Sequence, residues 1–183
     1  PARKPTLIPI EMGLIDSHGE EIPLSFEEPN DVQMEGTIAL TKATQSFTFK
    51  NIKERPVPSL LRGFSAPINL QFDYDEQDLA HLAVHDTDPF NRWEAIQRLV
   101  TSVLLEDAQK IRSHALPQYS DVLSAVFSKI LSESEQDPGF AAEVLVLPSA
   151  AYLAEHMEPV DPEAILLART GLRVYLARKL EHL

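Results

Sequence analysis

The sequence predicts an antiparallel, Ig-like β-sandwich over residues 1–74, followed by an all-α helical-hairpin domain over 75–183. Three observations carry this. The apolar period is two up to about Asp73 and helical from Asp75 onward. Turn residues interrupt the first half at short intervals, and no helical stretch lies between them. In the second half the helix starts are marked one after another by an acid or Ser, three times with Pro next.

Within the first half, Thr6-Leu-Ile-Pro-Ile-Glu-Met-Gly-Leu-Ile reads as a strand. Its internal Pro9 suits an edge position, because proline cannot donate to a ladder. Asp16-Ser-His-Gly-Glu is a turn, and the chain should return toward Ile22-Pro-Leu as a hairpin between Leu14 and Leu24. Gly36 to Lys42 and Thr44 to Ile52 are two further β segments, the second with Phe47 and Phe49 on one face. Ile68, Leu70 and Phe72 alternate with polar residues as a half-buried strand. Five or six such strands make a small sandwich.

In the second half the predicted caps are Asp75, Asp88-Pro89, Ser120, Asp137-Pro138, Ser149 and Asp161-Pro162, giving about six helices in antiparallel pairs. Trp93, Ile96, Val100, Val103, Leu104 and Ile111 form the apolar stripe of the second helix. Leu123, Val126, Phe127 and Ile130 do so in the third, and Ile165, Leu172, Leu176 and Leu180 in the last.

Charge and composition exclude several functions. The formal charge is −12, with −3 in residues 1–74 and −9 in 75–183, so the acidity is mostly helical. Much of it sits at predicted helix starts, where carboxylates meet free N–H groups. Such a field repels a phosphate backbone, and no nucleic-acid partner is expected. No apolar run approaches the roughly 20 residues of a membrane span, and no membrane partner is expected. With no Cys, thiolate catalysis and Cys-ligated metal are excluded in this chain.

The chemical candidates are weak. His81-Leu-Ala-Val-His85 puts two imidazoles on one helix face, but Leu82 stands where a zinc-protease helix needs its Glu. A structural pair at the domain junction is expected instead. Asp86-Thr-Asp88 opens like a calcium loop and lacks the later ligands; capping accounts for Asp88. Gly63-Phe-Ser65-Ala-Pro67 resembles a nucleophile elbow with Pro in place of the second Gly, and a Ser65, His85, Asp86 triad would need geometry that spacing does not give. Glu20-Glu21 and Glu27-Glu28 read as solvated turn acids. No Gly-rich loop has phosphate-binding spacing. Arg55-Pro-Val-Pro-Ser-Leu-Leu-Arg-Gly-Phe fits neither a clean strand nor a helix. Its apolar groups either dock outside the strand ladder or form a core crossover.

Gln45-Ser-Phe-Thr-Phe, Pro56 through Leu70, Asp86-Thr-Asp-Pro-Phe-Asn-Arg-Trp-Glu-Ala-Ile-Gln, Leu145-Val-Leu-Pro-Ser and Val160-Asp-Pro-Glu-Ala-Ile resemble, in order, the region after the catalytic domain of bacterial aminopeptidase N, a family of zinc metallopeptidases. The resemblance covers nearly the whole chain. It implies a β-sandwich and the opening helices of a cap domain, in a parent that removes N-terminal residues from peptides. The family's His-Glu-x-x-His helix, its Gly-x-Met-Glu-Asn-type strand and its transition-state Tyr have no counterpart here, so no catalytic, cofactor-binding or metal-ligating residue carries over. Zinc would be bound outside this chain. The expected partners are the remaining domains of the parent, with Arg55 to Phe64 as the candidate contact; peptide substrates belong to the parent. An apolar face near the last helix should favour self-association, and the expected location is the cytoplasm. The alternatives are a free-standing Ig-like interaction module and an independent hydrolase using Ser65 or His85.

Overall fold

A computed structural model describes residues 7–26 and 36–182. Four antiparallel strands, β1 (Ile8–Ile15), β2 (Glu21–Ile22), β3 (Thr37–Leu40) and β4 (Val57–Leu60), precede six helices. These are α1 (Glu76–His85), α2 (Pro89–Arg112), α3 (Asp121–Ser132), α4 (Pro138–Val144), α5 (Ala150–Glu155) and α6 (Pro162–Lys179). Among the described residues, no helix is long and apolar enough to cross a membrane.

β1 is the organising strand. It pairs with β3 through Ile8–Glu11, with β2 at Leu14 and Ile15, and with β4 through Met12–Ile15. The expectation that Pro9 marks an edge strand is therefore corrected for the strand as a whole. It holds locally, because β4 ends opposite Met12 and, among the described residues, Pro9 is paired on one side only.

The alternation along β1 separates two cores. Ile10, Met12 and Leu14 join Ile38 in the sheet core, where Phe26, Phe47 and Phe49 pack against them. Ile15 joins the helical core instead. A strand buried on both faces reads as a continuous apolar run, which explains the adjacent Leu14 and Ile15. The hairpin after β1 forms as expected. The Asp16 carboxylate accepts the His18 and Glu20 backbone N–H groups at 2.9 Å each, and Gly19 takes φ +85°.

Two expected strands are absent. In 44–52, one isolated bridge joins Phe26 and Phe49. The Gln45 side chain accepts from Thr41 N and donates to Ala39 O, taking up backbone groups beyond β3, and left-handed Asn51 (φ 62°) bends the chain. Residues 68–73 cross from the sheet to α1 without a ladder, and Phe72 O accepts instead from the Arg98 guanidinium at 2.7 Å. Conversely, Val57–Leu60 is a strand in spite of Pro58. β4 is an edge strand, where a missing donor is tolerated.

All six helices start where expected, and five of the six expected capping side chains accept a first-turn N–H. Asp75 and Asp78 form a reciprocal capping box, and Asp88, Asp137, Ser149 and Asp161 each accept a first-turn N–H. Ser120 precedes α3 but donates its hydroxyl to Glu76. The stripes of α3 and α6 are buried as expected, except that Leu180 is only partly so. On α2, Ile96, Leu99, Val100 and Leu104 enter the core, while Trp93 turns into a groove at the joint.

Candidate functional site

The most constrained chemistry lies where the sheet meets the helices. Arg62, after β4, is 8% exposed. Its Nε donates to Ser59 Oγ at 2.8 Å, one terminal nitrogen to Glu21 at 2.8 Å, and the other to Asp86 Oδ1 at 3.0 Å. Asp86 is the residue after α1, and its side chain is fully buried. Asn91 of α2 donates to the same Ser59 hydroxyl and to Leu60 O. One guanidinium thus ties β2, β4 and the α1–α2 corner together with charge-assisted bonds. It fits because β1 carries Gly13: a Cβ there would fall inside the guanidinium. Glycine in a strand interior here marks close approach of another group.

The rest of the joint is pinned around this centre. Arg55 pairs with the buried Asp78 carboxylate at 2.7 Å. Tyr74 donates to Pro58 O at 2.7 Å while the Arg98 guanidinium lies over its ring. Asp88 accepts from Gly63 N as well as capping α2. On the far side, the hairpin turn rests on α1, with His81 Nε2 2.7 Å from Asp16 O. The His85 ring occupies the space a Cβ at Gly19 would take.

His85 remains partly exposed, but the partial desolvation of its ring against the turn, followed by the neighbouring His81 and Lys129 charges, lowers its pKa below the ordinary imidazole value, with Glu133 opposing. Folded His85 therefore binds its proton more weakly than in the unfolded chain. Its contribution to stability is present above about pH 6.5 and is lost as pH falls through the lower folded value. The expected result is a urea midpoint that declines below about pH 6.5, with a shallower decline in His85→Gln. Identical slopes for the two proteins would contradict this.

Each sequence candidate has a structural partner or place. His81 and His85 buttress the turn, and the side chains present do not fit a zinc centre: among the described residues no three His, Asp or Glu groups converge for a metal. Ser65 Oγ accepts from Glu11 N, and Asp86 pairs with Arg62, so Ser65, His85 and Asp86 do not assemble as a triad. Glu21 is an ion-pair partner of Arg62 and no longer a freely solvated acid. Glu27 and Glu28 lie outside the described residues. The sequence signals for the Arg62–Gly13 pairing are an Arg within an apolar run and a Gly within a strand, and neither points to the other.

Beside the joint lies a groove of about 650 Å³. Phe64 is 69% exposed there, packed at a tilt against Phe90 with ring centroids 4.2 Å apart, and Trp93 is next in the row at 5.8 Å from Phe90. Leu61 and Phe64 take φ of 59° and 55°, a region that costs bulky residues about 1–3 kcal/mol each. A second apolar surface is the outer stripe of α6, where Leu166, Thr170 and Val174 are exposed.

One buried acid lies away from the joint. Asp107 on α2 is 1% exposed, its Oδ2 has no partner among the described residues, and burial pushes its carboxyl up to about 6, with Lys110 opposing. Folded Asp107 thus holds its proton more tightly than unfolded. Its contribution is favourable below about pH 4 and lost as pH rises through about 6. Asp107→Asn is therefore expected to raise the urea midpoint at neutral pH, with the gain vanishing near pH 4. A gain of the same size at both pH values would contradict the assignment.

An antiparallel Ig-like sheet joined to a run of helical hairpins, with apolar surface exposed beside the joint and on the last helix, defines the class of fold. Comparisons make this specific. Residues 1–73 match a family of unknown function described as having an Ig-like fold (DUF3458), and 76–183 match its companion, described as ARM repeats (DUF3458_C). The chain is 35% identical to aminopeptidase N of Escherichia coli (strain K12) over 97% of its own length and 20% of that protein. It is 38% identical to aminopeptidase N of Caulobacter vibrioides over 76% of its length and 16% of that protein. A crystal structure of Legionella pneumophila aminopeptidase A in complex with aspartic acid superimposes with TM-score 0.75 at 31% identity, covering 97% of this chain and 19% of that one. The chain belongs to the aminopeptidase N family and spans about a fifth of the length of these relatives.

Proposed function

We propose that this chain is a non-catalytic joint of a zinc aminopeptidase, with its domain boundary at Tyr74, holding the catalytic unit and the helical cap in fixed relation. The observation that carries this is the buried Arg62 centre, which locks β2, β4 and the α1–α2 corner together beside an exposed apolar groove. A buried ion pair of this geometry fixes one arrangement of the elements it joins. The parent removes N-terminal residues from peptides in the cytoplasm, and its zinc is held by residues outside this chain. The remaining domains cover the groove, and further helices stack on the α6 stripe, as helical repeats bury neighbouring faces. Separated from those partners, the chain self-associates through exposed apolar surface.

The test is an aminoacyl-anilide assay on the purified chain, with and without a chelator. No turnover is expected. Chelator-sensitive turnover would overturn the reading. Light scattering over a wide concentration range tests the self-association, and a strict monomer would count against it.

A further inference from the structure

The groove beside the joint is shaped before anything fills it. Leu61, Gly63 and Phe64 all take positive φ, and together they hold the Phe64 ring out in solvent at the head of the row Phe64, Phe90, Trp93. The turn gives Gly63 N to Asp88, yet the Phe64 ring it carries stays 69% exposed with one face against Phe90, and the strain at Phe64 is not repaid by burial. The rim is acidic: Glu94 and Glu143 are exposed, line the same cavity, and have no ion-pair partner among the described residues. Arg98, the basic residue of the lining, is already engaged by Phe72 O and the Tyr74 ring. Val146 and Tyr152 supply an apolar wall on the α4–α5 side.

Aromatic faces beside unpaired carboxylates favour a cation that can stack and accept an ion pair, and arginine does both. The −12 charge of the chain also attracts a cation. We propose that the groove docks an extended segment carrying an arginine between aliphatic residues, its guanidinium lying on the aromatic row and pairing with Glu94 and Glu143. This rests on the reading of the chain as a joint, in that the segment comes from another part of the peptidase. The occupant is thereby a basic apolar strand of protein, and neither a nucleic acid nor a second copy.

Trp93 is the single tryptophan and lies in the groove, so its emission reports occupancy directly. The probe is acetyl-Leu-Arg-Leu-Arg-Leu-amide, compared with the same peptide bearing citrulline at both arginines. The expected result is a saturable change in emission with the arginine peptide and at least about tenfold weaker binding of the citrulline peptide. Glu94→Gln combined with Glu143→Gln should weaken the arginine peptide by a similar factor and leave the citrulline peptide unchanged, with the urea midpoint intact. Phe64→Ala should weaken both peptides. Equal binding of the two peptides, or no change up to millimolar peptide, overturns the proposal. So does a concentration-dependent dimer that Phe64→Ala abolishes, since a second copy would then fill the groove. The anilide assay is independent of these outcomes, so failure here and failure of the joint reading are distinguishable.

Discussion

Arg62→Ala is expected to lower the free energy of unfolding by about 3–5 kcal/mol, the cost of leaving one partner of a buried ion pair uncompensated. The loss falls on several groups at once. Asp86 keeps a fully buried carboxylate whose Oδ2 already lacks a partner among the described residues, so removing the guanidinium leaves Asp86 without its cation. Ser59 and Glu21 each lose a donor. Arg62→Lys should recover little of this, because a single ammonium cannot reproduce three directed bonds to Ser59, Glu21 and Asp86. Urea unfolding followed by far-UV circular dichroism measures the loss. Because the guanidinium joins sheet to helices, the variant should also unfold in two steps, the helical signal persisting after Tyr74 becomes exposed. A loss under about 1 kcal/mol, the scale of an exposed pair, would mean that the centre is not what holds the joint.

Gly13→Ala should cost about 1–3 kcal/mol or more, the usual penalty for forcing atoms into a filled site. The added methyl falls inside the Arg62 guanidinium, so either β1 shifts or the arginine leaves its partners. Glycine-to-alanine in a strand would otherwise be mildly favourable, which makes the sign informative. The decisive measurement is the double variant. Once Arg62→Ala has emptied the site, Gly13→Ala should cost nearly nothing, and the cycle should show strong coupling. Additive costs would place the strain elsewhere.

Both predictions concern a joint, and in that they bear on function. On the proposed reading as a joint, the chain, which spans about a fifth of the length of its relatives, contributes geometry to the whole. Arg62, Asp86 and Gly13 meet where the sheet joins the helices. The strained turn that follows Arg62 sets the groove. The same few residues after β4 thus serve both, so a variant that frees the guanidinium should also disturb Phe64.

The helical half was legible because its signals are local. A cap needs an acceptor at one position and free N–H groups two or three residues later, and Asp88-Pro89, Asp137-Pro138 and Asp161-Pro162 state both in adjacent residues. The hairpin at Asp16 to Glu20 was legible for the same reason. The strand expectations failed at 44–52 and 68–73, where alternation is present but, among the described residues, no ladder forms beyond the single Phe26–Phe49 bridge. A ladder depends on residues distant in sequence, and alternation alone does not supply them.

The amino-acid sequence by itself determined the order of β and α halves, the six helix starts, the acidity of the helical half and the family. Only the tertiary structure decided that β1 is central, that Gly13 makes room for Arg62, that His81 and His85 support a turn, and that Trp93 faces a groove. The division has a physical basis. Periodicity and capping arise from contacts within one turn or one strand, whereas a buried guanidinium is defined by partners from Glu21 to Asp86, which spacing along the chain does not encode.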